Sequence, residues 1–311
     1  MSDVRPAART VRRRRRGPGS APYLMSAPAI ALFVAFVLLP IGYAVWLSMH
    51  AMRVTGGGFG IRSEVFVGFE NYLTSVTDDA LYGALQRMLA YGLIMVPLTM
   101  GLALLFALLL DAPRVGGARA ARIAIFLPYA VPGVIASLLW GFLYLPAVSP
   151  ITAALEAVGL PAPNFFGEVS IFFSVANIAI WGGVGFNMVV LFTALRAIPA
   201  ELYDAARIDG CTEWQIALRV KVPLLRPALV MTSVFTLIGM LQVFGEPTTL
   251  QPMTNVITPD WVPLMRIYQQ AFLENDIHLG AATSVLLALV TVLMSLAALA
   301  VFRIRAVRSG Q

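Results

Sequence analysis

The chain of 311 residues is unusually apolar: hydrophobic residues make up 59% of it, charged residues only 12%, and its net charge is +6. Soluble domains carry about 25% charged residues, so this chain has too few charges to cover a globular surface. This composition excludes an ordinary soluble enzyme, a disordered protein and a nucleic-acid-binding module. The one cysteine, Cys211, and the distant histidines His50 and His278 suggest neither a disulfide nor a metal centre. We therefore expect no cofactor, and an integral membrane protein becomes the class to test.

Long stretches without charge predict membrane-spanning helices. Six stretches of at least 19 residues contain no Asp, Glu, Lys or Arg. A bilayer core about 30 Å thick needs roughly 20 apolar residues in a helix. The sequence therefore predicts an all-α fold whose six transmembrane helices lie near residues 25–49, 89–110, 123–145, 170–195, 227–247 and 280–302.

One transmembrane domain, 25–303, then lies between a basic tail, 1–24, and a second tail, 304–311. The first apolar stretch is too long for a secretory signal, and no clear cleavage site follows it. Prolines inside the predicted spans indicate kinks or breaks in the helices. These are Pro40, Pro97, Pro128 and Pro132.

The distribution of arginine predicts the orientation. With both termini in the cytoplasm, 18 of the 22 basic residues lie on the cytoplasmic side, as the positive-inside rule requires. The run from Arg12 to Arg16 then acts as a topology and lipid-headgroup anchor. Nucleic-acid binding by this run is the weaker alternative, and we expect no nucleic-acid partner.

The predicted cytoplasmic loop between the fourth and fifth spans indicates two short helices joined by a bend. Pro199 favours a helix start, and Gly210 supplies the left-handed residue at which a helix stops. Thr212 and Gln215 have the spacing of a capping box, which begins the second helix. Pro223 is expected to end that helix.

This loop, residues 199–226, is also more apolar than a solvated connector needs to be. The small pair Ala205 and Ala206 would let another surface approach the backbone closely. Trp214, Ile216 and Leu218 add apolar side chains at a membrane surface, where an exposed apolar patch usually marks a docking site. Packing of the loop against its own helices is the alternative, and the residues alone leave both interpretations open.

At these residues the sequence resembles the permease subunits of bacterial ABC importers, in the carbohydrate-uptake branch with the MetI-like fold. The loop of that family carries Glu-Ala-Ala, a Gly four residues later and Leu-Pro about a dozen residues further on. Here Asp204-Ala205-Ala206, Gly210 and Val222-Pro223 stand at those places. The elements Gly68–Tyr72, Leu127–Pro132 and Gly185–Met188 are similar to further parts of the family, and the resemblance covers nearly the whole chain after residue 24.

The resemblance implies a transport subunit of the bacterial cell membrane, not an enzyme. The partners it implies are a cytoplasmic ABC ATPase dimer, a second and usually different permease subunit, and an extracytoplasmic solute-binding protein. The loop would act as a coupling helix seated in the ATPase. The residues expected at that contact are Glu201, Tyr203, Asp204, Ala205, Ala206, Arg207, Asp209 and Gly210.

The lysine content gives an independent test of where ATP binds. A P-loop needs Gly-x-x-x-x-Gly-Lys-Ser/Thr. The only lysine, Lys221, stands between Val220 and Val222, so this chain has no P-loop. If transport is driven by ATP, the ATPase must be another polypeptide.

Polar and aromatic residues within the spans are candidates for the substrate path, because such groups usually face a bundle interior or a cavity. Hydrogen bonding between helices is the alternative role for the amides. Likeness to the carbohydrate branch favours a sugar, an oligosaccharide or a polyol phosphate. The candidates are Asn187, Gln242, Phe244 and Glu246, with Asn177, Trp140 and Phe186 in addition.

A self-contained carrier or channel that needs no ATP is the alternative function. Ion coupling would predict charged residues near the middle of the membrane, and the six stretches contain none. An intramembrane enzyme would need clustered His, Asp or Glu within a span, which the same stretches exclude.

Overall fold

A computed structural model describes residues 21–54, 60–112 and 116–308 of the chain. The chain divides into two compact units, and the boundary lies between Trp46 and Leu47. Most of the predicted basic tail, including Arg12 to Arg16, lies outside the described residues, as do residues 309–311 of the second tail.

The first unit is helical. It contains α1 (Ala21–Phe33), a π-helical turn (Val34–Leu38) and most of α2 (Leu39–Ser48). Together they give an apolar span, Tyr23–Ser48, close to the predicted 25–49.

The second unit begins with a β-hairpin. Strands β1 (His50–Val54) and β2 (Arg62–Phe66) pair antiparallel, with His50 opposite Phe66. The side-chain amide of Asn71 donates to the carbonyl oxygen of His50 at 2.8 Å and so ties the hairpin to the following helix. The prediction of an all-α fold was therefore incomplete: the protein is mostly helical and has a two-stranded sheet in its first long loop.

The rest of the second unit is helical within the described residues. Its α-helices are, in chain order, α3 (Glu70–Val76), α4 (Asp79–Leu110), α5 (Ala118–Phe126), α6 (Gly133–Tyr144), α7 (Pro150–Ala157), α8 (Ser170–Arg196), α9 (Ala200–Ile208), α10 (Glu213–Ile216), α11 (Val222–Leu224), α12 (Arg226–Leu241), α13 (Gly245–Leu250), α14 (Pro263–Tyr268) and α15 (Ile277–Arg308). Short 3-10 turns (Leu127–Ala130, Gln251–Met253) and π-helical turns (Ala217–Lys221, Gln269–Leu273) join some of them.

Among the described residues, four helices are long and apolar enough to cross a membrane: the first unit's helix, α4, α8 and α15. Two further candidates are bent. Ala118–Ala130 and Gly133–Tyr144 meet at 98°, and Glu213–Leu224 and Arg226–Leu241 meet at 68°. The count is six if each bent pair is one span. The first of these breaks falls at Pro132, where a proline was predicted to kink or break the helix.

The predicted fifth span, 227–247, is shorter as a helix than expected. Helix α12 ends at Leu241, and α13 begins only at Gly245. The residues between them, which include Gln242 and Phe244, form an irregular junction. This junction separates the long part of the span from its last turns.

The core of the second unit is built mainly where α4 packs on α8. One cluster of buried side chains lies in the half of these helices farther from the 199–226 loop and includes Met88, Tyr91, Ile171 and Trp261. A second cluster lies towards the 199–226 loop and includes Ala103, Met188, Leu191, Leu195 and Leu225. Small residues on α4 permit close contact, because alanine leaves room for the larger side chains of α8.

A buried polar network joins α3, α4, α14 and α15 at the end opposite the 199–226 loop. Asp78, whose side chain caps α4, accepts from Arg266 Nε at 2.8 Å and from Gln270 Nε2 at 3.3 Å. Gln270 Oε1 in turn accepts from the hydroxyl of Thr283 at 2.8 Å, and Thr283 shares a 2.9 Å hydrogen bond with Ser75. Because these groups are largely buried, each needs its partner, and the network fixes this end of the spans.

Candidate coupling site and translocation path

The 199–226 loop, called the coupling segment below, folds locally much as its residues predict. Helix α9 begins directly after Pro199 and stops at Gly210, whose φ of 81° is left-handed. Thr212 and Gln215 form the predicted capping box: each side chain accepts a hydrogen bond from the backbone N–H of the other residue. These three features are confirmed because each depends only on neighbours in sequence.

The predicted helix end at Pro223 was wrong. The helix continues through a π-helical turn, Ala217–Lys221, into α11, and the sharp bend follows at Leu225. In the π turn the N–H of Val222 bonds to the carbonyl of Ala217, five residues back. The extra residue in this turn lets the chain pass Pro223, which has no N–H to donate, without ending the helix.

Helix α9 is largely exposed. Of its residues only Tyr203 and Ala206 are half-buried, whereas the remaining predicted contact residues are exposed. Ile208 is 87% exposed and Trp214, on α10, is 68% exposed. The aliphatic residues Leu202 and Leu218 are also exposed, whereas Ile216 is fully buried. Most large apolar side chains of this part of the coupling segment are therefore not packed against the rest of the chain.

The charged residues of α9 are paired within the segment. Arg207 donates to Asp204 Oδ1 at 2.8 Å and to Glu213 Oε1 at 2.9 Å. The hydrogen bond that Arg207 donates to Glu213, followed by the charges of Glu213 and Asp204, raises the pKa of Arg207, so this guanidinium stays charged. Pairs this exposed add little stability, so another charged group can displace them at small cost.

Beneath α9 lies a buried ion pair that was not predicted from the sequence. Lys221 Nζ lies 2.6 Å from Asp111 Oδ2, and the two side chains are only 7% and 5% exposed. The same ammonium lies 4.9 Å from the centre of the Tyr203 ring. Burial and then the charge of Asp111 raise the pKa of Tyr203, against an opposing effect of Arg196, so the phenol stays protonated.

A cavity of ≈ 220 Å³ adjoins this pair. Its wall is formed by the end of α4, the end of α8, α9 and the π-helical turn. The lining residues are Asp111, Leu195, Arg196, Ile198, Ala200, Tyr203, Arg207 and Lys221.

The predicted path residues fall into two groups. Asn187 is buried, donates to the carbonyl of Gly183 at 3.0 Å and accepts from the Thr236 hydroxyl at 3.4 Å, so its polar atoms serve packing between α8 and α12. Asn177 likewise donates to the hydroxyl of Tyr144 at 3.0 Å. Both amides therefore make the hydrogen bonds between elements that were the alternative to a substrate role.

The second group lies at the irregular junction between α12 and α13. Gln242 is exposed, Glu246 is half-buried in the first turn of α13, and the ring of Phe244 lies 5.8 Å from that of Tyr268. Two further aromatic candidates lie elsewhere. Phe186 stacks on Tyr129 at 5.1 Å, and Trp140 meets Trp181 edge to face at 6.0 Å.

Known proteins are similar to this chain in both sequence and fold. Residues 103–308 match the family described as binding-protein-dependent transport system inner membrane component. The diacetylchitobiose uptake system permease protein of Streptomyces coelicolor is 30% identical over 86% of this chain and 77% of its own. The osmoprotective compounds uptake permease protein of a Synechocystis species is 34% identical over 70% and 76%. The sn-glycerol-3-phosphate transport system permease protein of Salmonella typhimurium is 29% identical over 88% and 91%.

Two solved structures have a similar fold. A chain of a bacterial ABC transporter involved in the import of the acidic polysaccharide alginate superposes with a TM-score of 0.77, at 23% identity, over 91% of this chain and 95% of that one. A chain of the MetNI methionine ABC transporter, in an inward-facing conformation, gives 0.54 at 19% identity over 72% and 95%. The MetI-like fold that the sequence predicted is thereby confirmed.

A mostly helical chain with several apolar spans and this fold is the membrane-embedded part of a transport system. The chain belongs to the family of inner membrane components of binding-protein-dependent transport systems. It is therefore a transport subunit of the inner membrane, not an enzyme, and it acts together with a solute-binding protein.

Proposed function

We propose that this chain is the permease subunit of an ATP-binding-cassette importer for a sugar or a related carbohydrate. It spans the membrane six times, with each bent pair counted as one span, and both termini lie in the cytoplasm. The coupling segment docks into a separate cytoplasmic ATPase. A second permease subunit completes the translocation path, and the binding protein delivers solute at the outer face.

The exposed apolar surface of the coupling segment is the observation that supports ATPase docking. Leu202, Ile208 and Trp214 are all large, apolar and exposed, although the segment lies at the basic, predicted cytoplasmic end of the spans. A helix that packed on its own chain would bury such residues, and a helix that only connected two spans would not need them. A surface of this kind is typical of a protein interface.

The charges of α9 suit the same contact. Asp204 is paired to Arg207 only at an exposed position, so a basic group of the ATPase can compete for this carboxylate. The half-buried pair Tyr203 and Ala206 faces the chain itself, which leaves Glu201, Ala205 and Asp209 on the exposed face. We therefore propose that all of the predicted contact residues take part in docking to the ATPase, with Tyr203 on the side of α9 that faces its own chain.

The junction between α12 and α13 is the part of the chain best suited to line the path. Irregular backbone at membrane depth is tolerated where it is buried in protein or lines a cavity. Gln242 and Glu246 offer hydrogen-bonding groups at this junction, and Phe244 offers an aromatic face, the combination that recognises a sugar. Asn187 is the weakest of the four predicted path residues because its side chain is already bonded within the chain.

The class of solute rests on the relatives. The relatives described above are named for uptake of diacetylchitobiose, osmoprotective compounds and sn-glycerol 3-phosphate, and a further relative from Thermococcus litoralis is named for transport of trehalose and maltose. The similar fold with a TM-score of 0.77 comes from an alginate importer. All of those named as compounds are sugars or derivatives of a polyol. An ATP-independent carrier remains the second candidate, but it would have no use for an apolar docking surface at this end.

Co-purification with the ATPase tests the proposal. Wild type, Ala205→Glu and Ala205→Ser are each expressed with the ATPase and the second permease subunit, and the membrane component is purified in detergent. We expect the ATPase to be retained by wild type and by the Ser variant, which keeps the surface small, and lost by the Glu variant. All three should insert into membranes equally. Retention of the ATPase by the Glu variant, or solute uptake that needs no ATP, would overturn the docking proposal.

A further inference from the structure

The ion pair between Lys221 and Asp111 joins two elements that are 110 positions apart in the chain. Lys221 ends the π-helical turn of the coupling segment, and Asp111 directly follows the last residue of α4. Their side chains are almost completely buried, and the 2.6 Å separation is that of a short charge-assisted hydrogen bond. The pair therefore holds the coupling segment to the end of the second span.

Stability alone does not explain a charged pair at this position. Apolar side chains of similar size in place of a buried ion pair often leave a protein equally stable or make it more stable. An ion pair differs from such side chains in that it fixes the direction and the partner of the contact. Here the pair fixes the position of the coupling segment relative to α4, because apolar contacts alone would allow the two elements to shift past one another.

The coupling helix reaches this link through Tyr203. Its ring lies over the ammonium of Lys221, and Tyr203 and Ala206 are the residues of α9 that are half-buried. Beside them lies the cavity of ≈ 220 Å³, so α9 rests on few side chains. A displacement of α9 consequently acts on Tyr203, then on Lys221 and, through Asp111, on α4.

Covalent continuity already links the coupling segment to α12. The chain passes from the π-helical turn through α11 and bends at Leu225, which is buried. No peptide connection of this kind joins the segment to α4, which lies far away in sequence. For α4 to move together with the segment, side-chain contacts have to carry the force. These are the apolar packing of α4 on α8, α12 and Leu225, and the Lys221–Asp111 pair, which fixes the partner and the direction of the contact.

We infer that Lys221 and Asp111 are positioning residues that make α4 follow the coupling segment when the ATPase closes on ATP. This inference rests on the proposed docking of the segment to an ATPase. Tyr203 transmits the displacement of α9 to the pair. Without the pair, the segment would still move on ATP binding, but α4 would lag behind it.

Distances within the assembled transporter test the inference. In a Cys211→Ser background, spin labels are placed on Leu109→Cys, near the end of α4, and Arg219→Cys, in the π-helical turn; both wild-type side chains are exposed. The complete transporter with its ATPase is measured in lipid nanodiscs, without nucleotide and with ATP plus EDTA. With the pair intact we expect the label distance to stay unchanged. With Asp111→Leu and Lys221→Met combined, we expect it to shift by about 2 Å or more on addition of ATP.

Two control variants make the result decisive. The charge-exchanged chain, Asp111→Lys with Lys221→Asp, should regain the constant distance. The exposed pair Arg53 and Glu70, both changed to Gln, should behave as wild type because it lies outside the coupling segment. A constant distance in the apolar double variant, or an ATP-dependent shift in wild type, would overturn the inference. Absence of the ATPase from purified wild type would instead overturn the docking proposal on which it rests.

Discussion

Gly185 of α8 lies directly against the backbone of Phe126 at the end of α5. A Cβ at Gly185 would stand 2.7 Å from the Cα of Phe126, and still closer to the carbonyl oxygen of Ile125. Backbone atoms of a helix cannot move aside as the end of a flexible side chain can. The end of α5, just before the 98° bend, is therefore held on α8 by a contact that only glycine permits.

Gly185→Ala should consequently destabilise the protein. The added methyl group forces α5 and α8 apart, and overpacking of this kind costs about 1–3 kcal/mol. Gly182→Ala, on the same helix, meets no atom within 4 Å and should be neutral or slightly stabilising. Thermal unfolding of the purified transporter, followed by tryptophan fluorescence, compares the two. Equal stability of both variants would contradict the contact.

The left-handed conformation of Gly210 makes a second prediction. Gly210→Pro should abolish uptake, because proline fixes φ near −65° and removes the N–H that bonds to the carbonyl of Arg207. Gly210→Asn should keep most activity, because asparagine tolerates the left-handed region. Uptake and retention of the ATPase are measured in membranes that contain equal amounts of each variant. Uptake by the proline variant would show that the end of α9 has no part in coupling.

The buried polar network around Asp78 and Gln270 allows a matched comparison on α15. Thr283→Val removes the hydroxyl that bonds Gln270 and Ser75, leaves buried polar groups without a partner, and should lower stability by about 1–3 kcal/mol. Thr291→Val is the control, because the Thr291 hydroxyl bonds the Leu287 carbonyl of its own helix. The unfolding temperature of each variant is the measurement. If the two changes lowered it equally, the network would contribute nothing beyond the helix itself.

Substitutions at the two kinds of path residue should separate recognition from packing. Gln242→Ala should weaken apparent affinity roughly fivefold, as expected for a lost hydrogen bond. Asn187→Ala should reduce the amount of folded protein and leave affinity unchanged, because its partners belong to α8 and α12. Uptake of labelled trehalose, maltose, diacetylchitobiose and sn-glycerol 3-phosphate identifies the solute and gives the affinities. Unchanged affinity in the Gln242 variant would remove this residue from the path.

Features that depend on neighbouring residues could be predicted from sequence. The stop at Gly210, the capping box of Thr212, the end of α4 and the extent of α8 follow from backbone preference and apolar length, which act locally. The start of α4 was not predicted, because the helix begins at Asp79, before the predicted apolar span. The passage of the helix through Pro223 could not be predicted, because it depends on a π-helical turn that the surrounding contacts stabilise. The β-hairpin gave only a weak signal, because its strands are short and half of their residues are polar.

The ion pair under the coupling helix could not be predicted because it is a tertiary contact. Asp111 looked like an ordinary charge at the end of an apolar stretch, and Lys221 looked like one of several basic residues of the loop. Their rarity was the one available signal: Lys221 is the only lysine of the chain, and Asp111 is the acid that directly ends the second apolar stretch. Two isolated opposite charges at the same predicted membrane face are candidates for a pair, but sequence does not state their distance.

The break in the third span should affect how quickly the subunit is degraded in the cell. Helix α6 has 12 residues and is therefore about 18 Å long, well short of the roughly 30 Å of a bilayer core. The remaining depth falls to the 3-10 turn Leu127–Ala130 and to the break at Val131 and Pro132, and lipid cannot hydrogen-bond the polar backbone groups freed at such a break. Helix α8 covers part of this stretch, because Phe186 stacks on Tyr129, but Leu127 and Tyr129 stay largely exposed, so further protein must cover the rest. A copy of this chain that is synthesised without its second subunit should therefore be degraded by membrane quality-control proteases. The yield of folded subunit should then depend on balanced co-expression of the two subunits.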